Sequence, residues 1–313
     1  MSKLKVNLFG KFCVQHNGQV LGGFSARKVQ ELFAYLLLYR DQGHPRETLV
    51  SLLWGDQNKD TAQSKKSLRQ VLCQLQAALQ PLAESINHGI LLVEPDWVQI
   101  NSNADLWLDV TVFEQASLAA QGMPGEALDP HRLQTLQKAT HLYQGNLLEG
   151  WYPDWCLYER ERLQSMYLAM LDKLMGYCET HTEYEKGLTY GARILHYDRA
   201  HERTHRRLMR LHYLAGDRTA ALRQYESCVA ALRQELEVTP SQGTRALYEQ
   251  VRADRLIAAA SLPAEATAKS SPPVSLPPKV LEHIEHIRGV LAATQLQIQQ
   301  DVQAITQAVQ SQS

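Results

Sequence analysis

The sequence predicts a mainly α protein: a small N-terminal α+β domain, then an all-α helical-repeat domain and a C-terminal helix. Three observations predict this class. Short β-prone segments flank three helix-forming segments in the first 110 residues, residues 111–260 have helical periodicity throughout, and a proline-rich stretch precedes an apolar heptad pattern. With 313 residues, of which 44% are hydrophobic and 21% charged, the chain has enough material for two globular cores.

The first predicted element is a small N-terminal sheet of short strands, from Leu4 to about Leu21. The segments LKVNLFG and KFCVQ are β-prone, and the pair Asn17-Gly18 after them favours a hairpin turn. Three helices and a second hairpin follow, in segments 26–39, 46–54, 61–79, 85–93 and 98–101. Pro45 precedes the second helix, Pro81 ends the third, and Pro95 lies at the second hairpin turn. This order is that of a winged helix-turn-helix, which we assign to residues 1–110.

The third helix, segment 61–79, is the one predicted to read DNA. The segment from Lys59 to Arg69 has a net charge of +3, and arginine and glutamine side chains suit the edges of guanine and adenine. The candidate residues on its exposed face and in its basic run are Ser64, Lys65, Lys66, Ser67, Arg69, Gln70, Cys73 and Gln74. A solvated helix face would have a similar composition. The first 110 residues hold eleven basic and ten acidic side chains, so phosphate contacts predict only modest affinity.

Residues 111–260 contain a sequence pattern that recurs after 34 residues. The aligned pairs are Leu174 and Leu208, Met175 and Met209, Glu183 and Asp217, Gly187 and Ala221, and Leu188 and Leu222. This is the tetratricopeptide period, in which each unit is a pair of helices that buries its apolar face only against neighbouring pairs. We therefore expect stacked helical hairpins, and such a domain favours a binding role over catalysis.

The C-terminal part divides into a linker and a helix. Residues 261–279 hold five prolines among Ala, Ser and Thr, which predicts an unfolded linker. In residues 280–313 an apolar seam recurs every seven residues, at Ile284, Leu291, Ile298 and Ile305. The companion seam begins polar at Arg288 and ends apolar at Val309. The pattern indicates a homotypic coiled coil, and a helix that docks on its own repeat domain is the alternative.

One motif points to a different class of function. The segment from His201 to His205 reads HERTH and matches HExxH, the pattern that places two zinc ligands and a general base on one helix face. The motif lies at the start of a repeat helix, and its flanks are rich in Arg, which repels a dication. We therefore predict a protein that is not an enzyme and needs no metal or cofactor, and we keep the zinc peptidase as a remote alternative.

Composition also bounds the compartment. The five cysteines are scattered and form no CxxC pair, which argues against a disulfide framework. The start, MSKLKVNLFG, lacks the features of a signal peptide, and no run approaches the length of a membrane span. A net charge of −1 shows no global preference for nucleic acid or membrane. These observations predict a cytoplasmic protein with no membrane partner.

The quoted segments also resemble a known family. The winged-helix order, followed by HRRLMRL, AGDRTAALRQYE and LRQELEVTPSQGTRALYEQV, resembles SARP-type bacterial transcriptional activators. In that family an OmpR-type winged helix precedes a bacterial transcriptional activator domain. The N-terminal segments LFGKFCV, ARKVQELFAYLLLY, ETLVSLLWGD and AQSKKSLRQVLCQLQAAL agree, so the resemblance covers about residues 4 to 252.

The resemblance implies a transcriptional regulator that binds tandem promoter repeats as a dimer or higher homo-oligomer and recruits RNA polymerase. Carried over by position, Ser67, Arg69 and Gln70 would approach the major groove, and Lys65 and Lys66 the phosphates of double-stranded DNA. Two residues of the second hairpin, Asn87 and His88, would reach the adjacent minor groove. Where relatives have an Arg-rich helix end, this chain has Gln74 and Gln76. A scaffold or signal-sensing adaptor is the alternative, and an unknown effector at the repeat domain stays open.

Overall fold

The structure is a computed structural model, and it describes residues 4–55, 61–80 and 89–255, without the side chain of residue 61. The N-terminal elements are β1 (Leu4–Asn7), β2 (Cys13–His16), β3 (Gln19–Val20), α1 (Arg27–Leu38), β4 (His44–Pro45), α2 (Arg46–Trp54), α3 (Thr61–Leu79), β5 (Leu91–Val93), β6 (Trp97–Ile100) and β7 (Leu106–Leu108). Seven helices follow: α4 (Asp109–Ala119), α5 (Pro130–Leu142), α6 (Asp154–Thr180), α7 (Tyr184–Tyr197), α8 (Glu202–Leu214), α9 (Arg218–Leu236) and α10 (Gln242–Arg252). A short 3₁₀ turn, Gly125–Ala127, lies between α4 and α5. The fold is thus mainly α with small N-terminal sheets, as predicted.

Two small sheets frame the three N-terminal helices. One has the strand order β3-β2-β1-β7, in which β7 is parallel to β1 and the other pairs are antiparallel. The other has the order β4-β6-β5 and is antiparallel. Asn17 and Gly18 both have positive φ, 51° and 79°, as a tight hairpin turn requires. The winged helix-turn-helix layout predicted from the order of elements is therefore present.

The predicted apolar stripe of α1 is the centre of the N-terminal core. Its residues Val29, Leu32, Phe33, Leu36 and Leu37 are all fully buried. The stripe packs against α2 and α3. Helix α3 also has an apolar stripe, and it turns this stripe towards α1. Its opposite face is left to solvent and is available for other contacts.

The repeat domain consists of stacked helical hairpins. Helices α6 and α7 form one pair, α8 and α9 form the next, and α10 packs on both members of the second pair. Glu183 and Asp217, which align in the 34-residue register, stand directly before α7 and α9. A Cβ at Gly187 would lie 2.9 Å from Cδ1 of Leu211, so the absence of a side chain lets α7 approach α8 closely.

The winged helix and the helical repeats share one hydrophobic core. The main chain of Leu148 donates a hydrogen bond to the carbonyl of Leu8, and the carboxylate of buried Asp109 accepts hydrogen bonds from the N–H groups of Leu8 and Phe9. The Arg160 guanidinium donates to three main-chain carbonyls of the loop before α6. By their contacts Met1–Ala258 belong to one compact unit.

The C-terminal predictions lie outside the described residues. These are the linker 261–279, the helix 280–313 and its seam residues, and they stay predictions. Within the described ranges, no helix is both long and apolar enough to cross a membrane.

Candidate nucleic-acid interface

Helix α3 buries one side and presents a polar side to solvent. The buried residues are Leu68, Val71, Leu72, Leu75, Ala78 and Leu79. The opposite side exposes Lys65, Lys66, Arg69, Gln70 and Gln74, and Ser67 is half-buried. Lys66, Arg69, Gln70 and Cys73 lie three and four residues apart, so they share one face of the helix. The helix therefore offers cations and amides, the groups that contact phosphates and base edges.

The prediction that Ser64 is exposed is wrong. Its side chain is buried, with only 3% of the residue accessible. Ser64 lies four residues before Leu68 and seven before Val71, so it falls on the buried stripe of the helix. A serine is small enough for this position, and it cannot contact DNA from there.

Two further candidates make contacts within the protein. The Lys65 ammonium lies 3.0 Å from a carboxylate oxygen of Glu47 on α2, and both side chains are exposed. The Ser67 hydroxyl donates to the carbonyl of Gln63, 3.0 Å away, a common back-bond within a helix. Solvent screens an ion pair at such a site, so the contact with Glu47 does not fix Lys65 in place.

The described part of the second hairpin lies beside α2 and α3. Strands β5 and β6 pair in register, and the main chain of Arg46 donates to the carbonyl of Asp96 in the turn between them. Asn87 and His88, the residues predicted to reach the minor groove, lie outside the described residues.

A cleft of about 470 Å³ lies between the start of α2, the exposed side of α3 and the β5–β6 turn. Its walls include Arg46, Glu47, Lys65, Arg69, Asp96 and Trp97. Trp97 is 48% exposed, unusual for a tryptophan. Sequence reasoning missed Arg46 and Trp97. The signal for Trp97 was the alternation in β6, where Val98 and Ile100 point inward and a tryptophan therefore points outward.

The HERTH segment has a structural role in the repeat domain. The two ring nitrogens of His205 make hydrogen bonds, one with the Arg199 carbonyl at 2.8 Å and one with the Gln224 amide at 2.6 Å. The Glu202 carboxylate accepts from the main-chain N–H of Ser241 and from the Thr244 hydroxyl, and so ties α8 to α10. Burial opposes ionisation of Glu202, but these hydrogen bonds outweigh it and hold its pKa below the ordinary value.

These contacts argue against the zinc-peptidase alternative. A zinc ligand needs a ring nitrogen with a lone pair free for the metal, and a general base needs a carboxylate that reaches water. Among the residues that the structure describes, no group of three His, Cys, Asp or Glu side chains has the geometry of a metal site.

Residues 108–252 match the family model described as the bacterial transcriptional activator domain. Over these residues the chain is similar to that domain. The match begins at the end of β7 and ends at the last residue of α10, so it spans the whole set of stacked hairpins. A winged helix followed by a segment similar to this domain is the order that the sequence resemblance to SARP-type transcriptional activators implies.

A solved structure has the same fold. It is described as Mycobacterium tuberculosis EmbR in complex with a low-affinity phosphopeptide. The similarity covers 82% of this chain and 67% of the EmbR chain, with a TM-score of 0.61 and 15% sequence identity. The comparison with curated proteins finds no match to this chain.

The segment that matches the bacterial transcriptional activator domain contacts the winged helix at the start of α4. Asp109, the second residue of the match, accepts three main-chain N–H groups, two from the strand end at Leu8 and Phe9 and one from Val110. Burial raises the pKa of Asp109 to about 6, and the three hydrogen bonds offset part of that rise. Helix α3 and the matched residues are therefore parts of one compact unit.

Proposed function

We propose that this chain is a SARP-type transcriptional regulator, a sequence-specific activator that binds tandem promoter repeats of double-stranded DNA as a dimer and contacts RNA polymerase. The observation that carries the proposal is the outward side of α3. It exposes Lys66, Arg69, Gln70 and Gln74 beside a cleft that ends at the β5–β6 turn. In helix-turn-helix proteins a helix in this position enters the major groove, and the neighbouring hairpin would reach the adjacent minor groove.

The roles of the side chains follow from their chemistry. Arg69 and Gln70 can each make two hydrogen bonds to one base, guanine for arginine and adenine for glutamine. Lys65, Lys66 and Arg46 suit phosphates, which fix the register of the protein without reading sequence. Trp97, half-exposed at the rim of the cleft, would pack against the sugar-phosphate backbone with its ring. We assign polymerase contact to the activator domain, because α3 is occupied by DNA in this arrangement.

The test is binding of labelled fragments from upstream of the chain's own operon at several salt concentrations. We expect fragments that contain short direct repeats to bind at least tenfold more tightly than other fragments. The logarithm of the binding constant should fall linearly with the logarithm of the salt concentration. The near balance of basic and acidic residues in the winged helix predicts a shallow slope for one copy, so tandem occupancy supplies much of the affinity. Binding with no sequence preference and no salt dependence would exclude the proposal and leave an interaction scaffold.

A further inference from the structure

A second cleft, of about 840 Å³, lies in the repeat domain away from the winged helix. Four arginines of α8, namely Arg203, Arg206, Arg207 and Arg210, form one wall. Glu126, Glu179 and the first residues of α10 form the others. We name it the arginine groove. Its volume is in the range of clefts that hold small ligands or short peptide segments.

The first repeat of the 34-residue pattern lacks this run of arginines. They follow each other at intervals of three, one and three residues, so they share one face of α8. At the equivalent positions one repeat earlier, 34 residues upstream, the chain has Ala169, Asp172, Lys173 and Gly176. Four arginines on one face are therefore a particular property of the second repeat.

Arg207 has a structural role in this wall. Only 13% of its side chain is accessible, and it lies within 3.4 Å of carboxylates of Asp172, Glu179 and Glu126. A Cβ at Gly176 would lie 2.6 Å from Nη2 of Arg207, so the glycine makes room for the guanidinium against α6. The three carboxylates hold α6, α8 and the 3₁₀ turn together through this one cation.

The other three arginines extend towards solvent. The side chains of Arg203, Arg206 and Arg210 are 63%, 36% and 49% exposed. Arg203 contacts Asp172 through Nη2, and Arg210 contacts Glu179 through Nε. Each guanidinium has five N–H donors in a planar fork that fits a carboxylate with two parallel hydrogen bonds. These contacts leave donors on both side chains for a ligand.

We propose that the arginine groove binds an acidic peptide segment in an extended conformation. Arg203 and Arg210 are seven residues apart, which is about 10 Å along a helix. In polyproline II conformation every third side chain returns to the same face, about 9 Å further along. Carboxylates three residues apart would therefore reach both arginines. Ala246 and Leu247 of α10 add an apolar strip for the peptide backbone and its neighbouring side chains.

The walls favour a peptide over nucleic acid. Glu126 and Glu179 border the groove and would repel the continuous row of phosphates of a DNA backbone. A peptide with separated carboxylates can place neutral residues opposite these two glutamates. The groove thus selects both the sign of the charge and its spacing.

The test uses the full chain and a fluorescein-labelled ten-residue peptide of Pro and Ser with Glu at positions 2, 5 and 8. Its analogue with Gln at these positions is the control peptide. We expect the Glu peptide to bind at least tenfold more tightly, and the double variant Arg203→Ala/Arg210→Ala to lose that difference. The matched variant Arg223→Ala/Arg233→Ala removes two exposed arginines from α9, outside the groove, and should keep it. Binding of promoter DNA should be the same in both variants, which separates this proposal from the proposed function.

Three outcomes would overturn the proposal. One is equal binding of the Glu and Gln peptides at all concentrations tested. Another is an equal loss in both double variants, which would indicate a general charge effect. The third is displacement of the Glu peptide by a double-stranded oligonucleotide that also loses affinity for Arg203→Ala/Arg210→Ala, which would make the groove a nucleic-acid site. Circular dichroism of both variants should show unchanged helix content, because the substituted side chains are exposed.

Discussion

Arg69 is the single residue whose replacement tests the DNA-reading role of α3 most directly. It is exposed on the outward face of the helix and also lines the cleft beside the β5–β6 turn. If it reads a guanine, Arg69→Ala should weaken binding to the specific site by about 1–3 kcal/mol and relax the preference at one base position. Quantitative footprinting on the site and on base-substituted variants measures both effects. An equal loss on random DNA would show instead that Arg69 contacts phosphate.

We expect Glu47 to oppose DNA binding at the same surface. Its carboxylate is 80% exposed and lies 3.0 Å from the Lys65 ammonium, at the edge of the cleft. Glu47→Gln removes a negative charge near the phosphates and releases Lys65 to contact them. We expect tighter binding to specific and random DNA alike, with a salt slope steeper by about 1.

Glu249→Gln is the matched control for this change, since Glu249 is 55% exposed on α10 and pairs with Arg252. Its effect on DNA binding should be negligible. If the two substitutions have the same effect, the total charge of the protein and not the local pair governs affinity.

Asp109 is one of the residues that join the winged helix to the helical repeats, and its ionisation should affect stability. Its pKa is about 6 in the folded state and 3.8 ordinarily, so the folded state binds the proton more tightly. The contribution of Asp109 to the free energy of unfolding is therefore greatest below about pH 4. It falls as the pH rises to about 6, by up to about 3 kcal/mol.

Asp109→Asn should abolish this slope, because an amide does not titrate. An amide also offers only one acceptor oxygen to the three N–H groups of Leu8, Phe9 and Val110, so we expect a loss of about 1–3 kcal/mol. Urea denaturation of both proteins between pH 4 and 7 measures the two effects, and the deficit of the variant should shrink towards pH 7. Parallel pH profiles for the two proteins would refute the assignment.

At the scale of elements, the 3₁₀ turn Gly125–Ala127 depends on one glycine. A Cβ at Gly125 would lie 2.1 Å from the main-chain carbonyl oxygen of Lys173 in α6. The main chain fixes the positions of both atoms, so rotation of a side chain cannot relieve the clash. Gly125→Ala should therefore push the turn off α6, with a loss of about 1–3 kcal/mol in the free energy of unfolding. It should also disturb Glu126 and hence its contact with Arg207.

The control for this element is Gly122→Ala, in the preceding loop. Gly122 has a positive φ of 73° and open space around its Cβ position, so only backbone strain of about 1 kcal/mol applies. Thermal unfolding of both variants separates crowding from strain. Equal losses would mean that the contact with Lys173 does not limit the packing of the turn.

The sequence predicted the helices better than the strands, and better than the contact between the winged helix and the helical repeats. The bounds of α2 and α3 agree residue for residue, because Pro45 sets the start of α2 and the apolar period is continuous through α3. Strands β4 and β7 were missed, since two or three residues are too few to show alternation. Ser64 was placed on the wrong side by its polarity, although its spacing from Leu68 marked it as buried.

The parts that escaped prediction depend on contacts between distant segments. The acceptor role of Asp109 involves residues about 100 positions earlier, and its local sequence shows only an acidic residue at a helix start. The cleft beside α3 combines α2, α3 and the β5–β6 turn, so Arg46 and Trp97 gain their role only when the three meet. The roles of Asn87, His88 and the heptad residues stay predictions.

At the scale of the whole molecule, the shared core limits how regulation can work. The winged helix and the activator domain form one packed unit, joined by main-chain hydrogen bonds and by the buried carboxylate of Asp109. Release of a flexibly tethered DNA-binding domain would require this core to break. Changes in the number of copies on DNA, or in what the activator domain binds, leave the core intact. Regulation through such changes therefore costs less free energy than separation of the two parts.

The heptad seam of residues 280–313 should control how many copies act together. A charge at a seam position opposes burial in a coiled coil, so Leu291→Asp should convert the full chain to a smaller species in light scattering after size exclusion. Linked copies bind adjacent repeats at a high effective concentration, so the variant should lose about 10²-fold in affinity for a tandem site. Its affinity for a single half-site should not change.

Gln300→Asp is the matched control, because position 300 lies off both seams of the same heptad register. It adds the same charge and should preserve assembly and tandem binding. If Leu291→Asp left the mass unchanged but weakened binding to single and tandem sites equally, the helix would dock within one chain, and cooperation between copies would have to arise from the compact unit 1–258. The comparison of half-site and tandem affinities thus decides between the two uses of the same apolar seam.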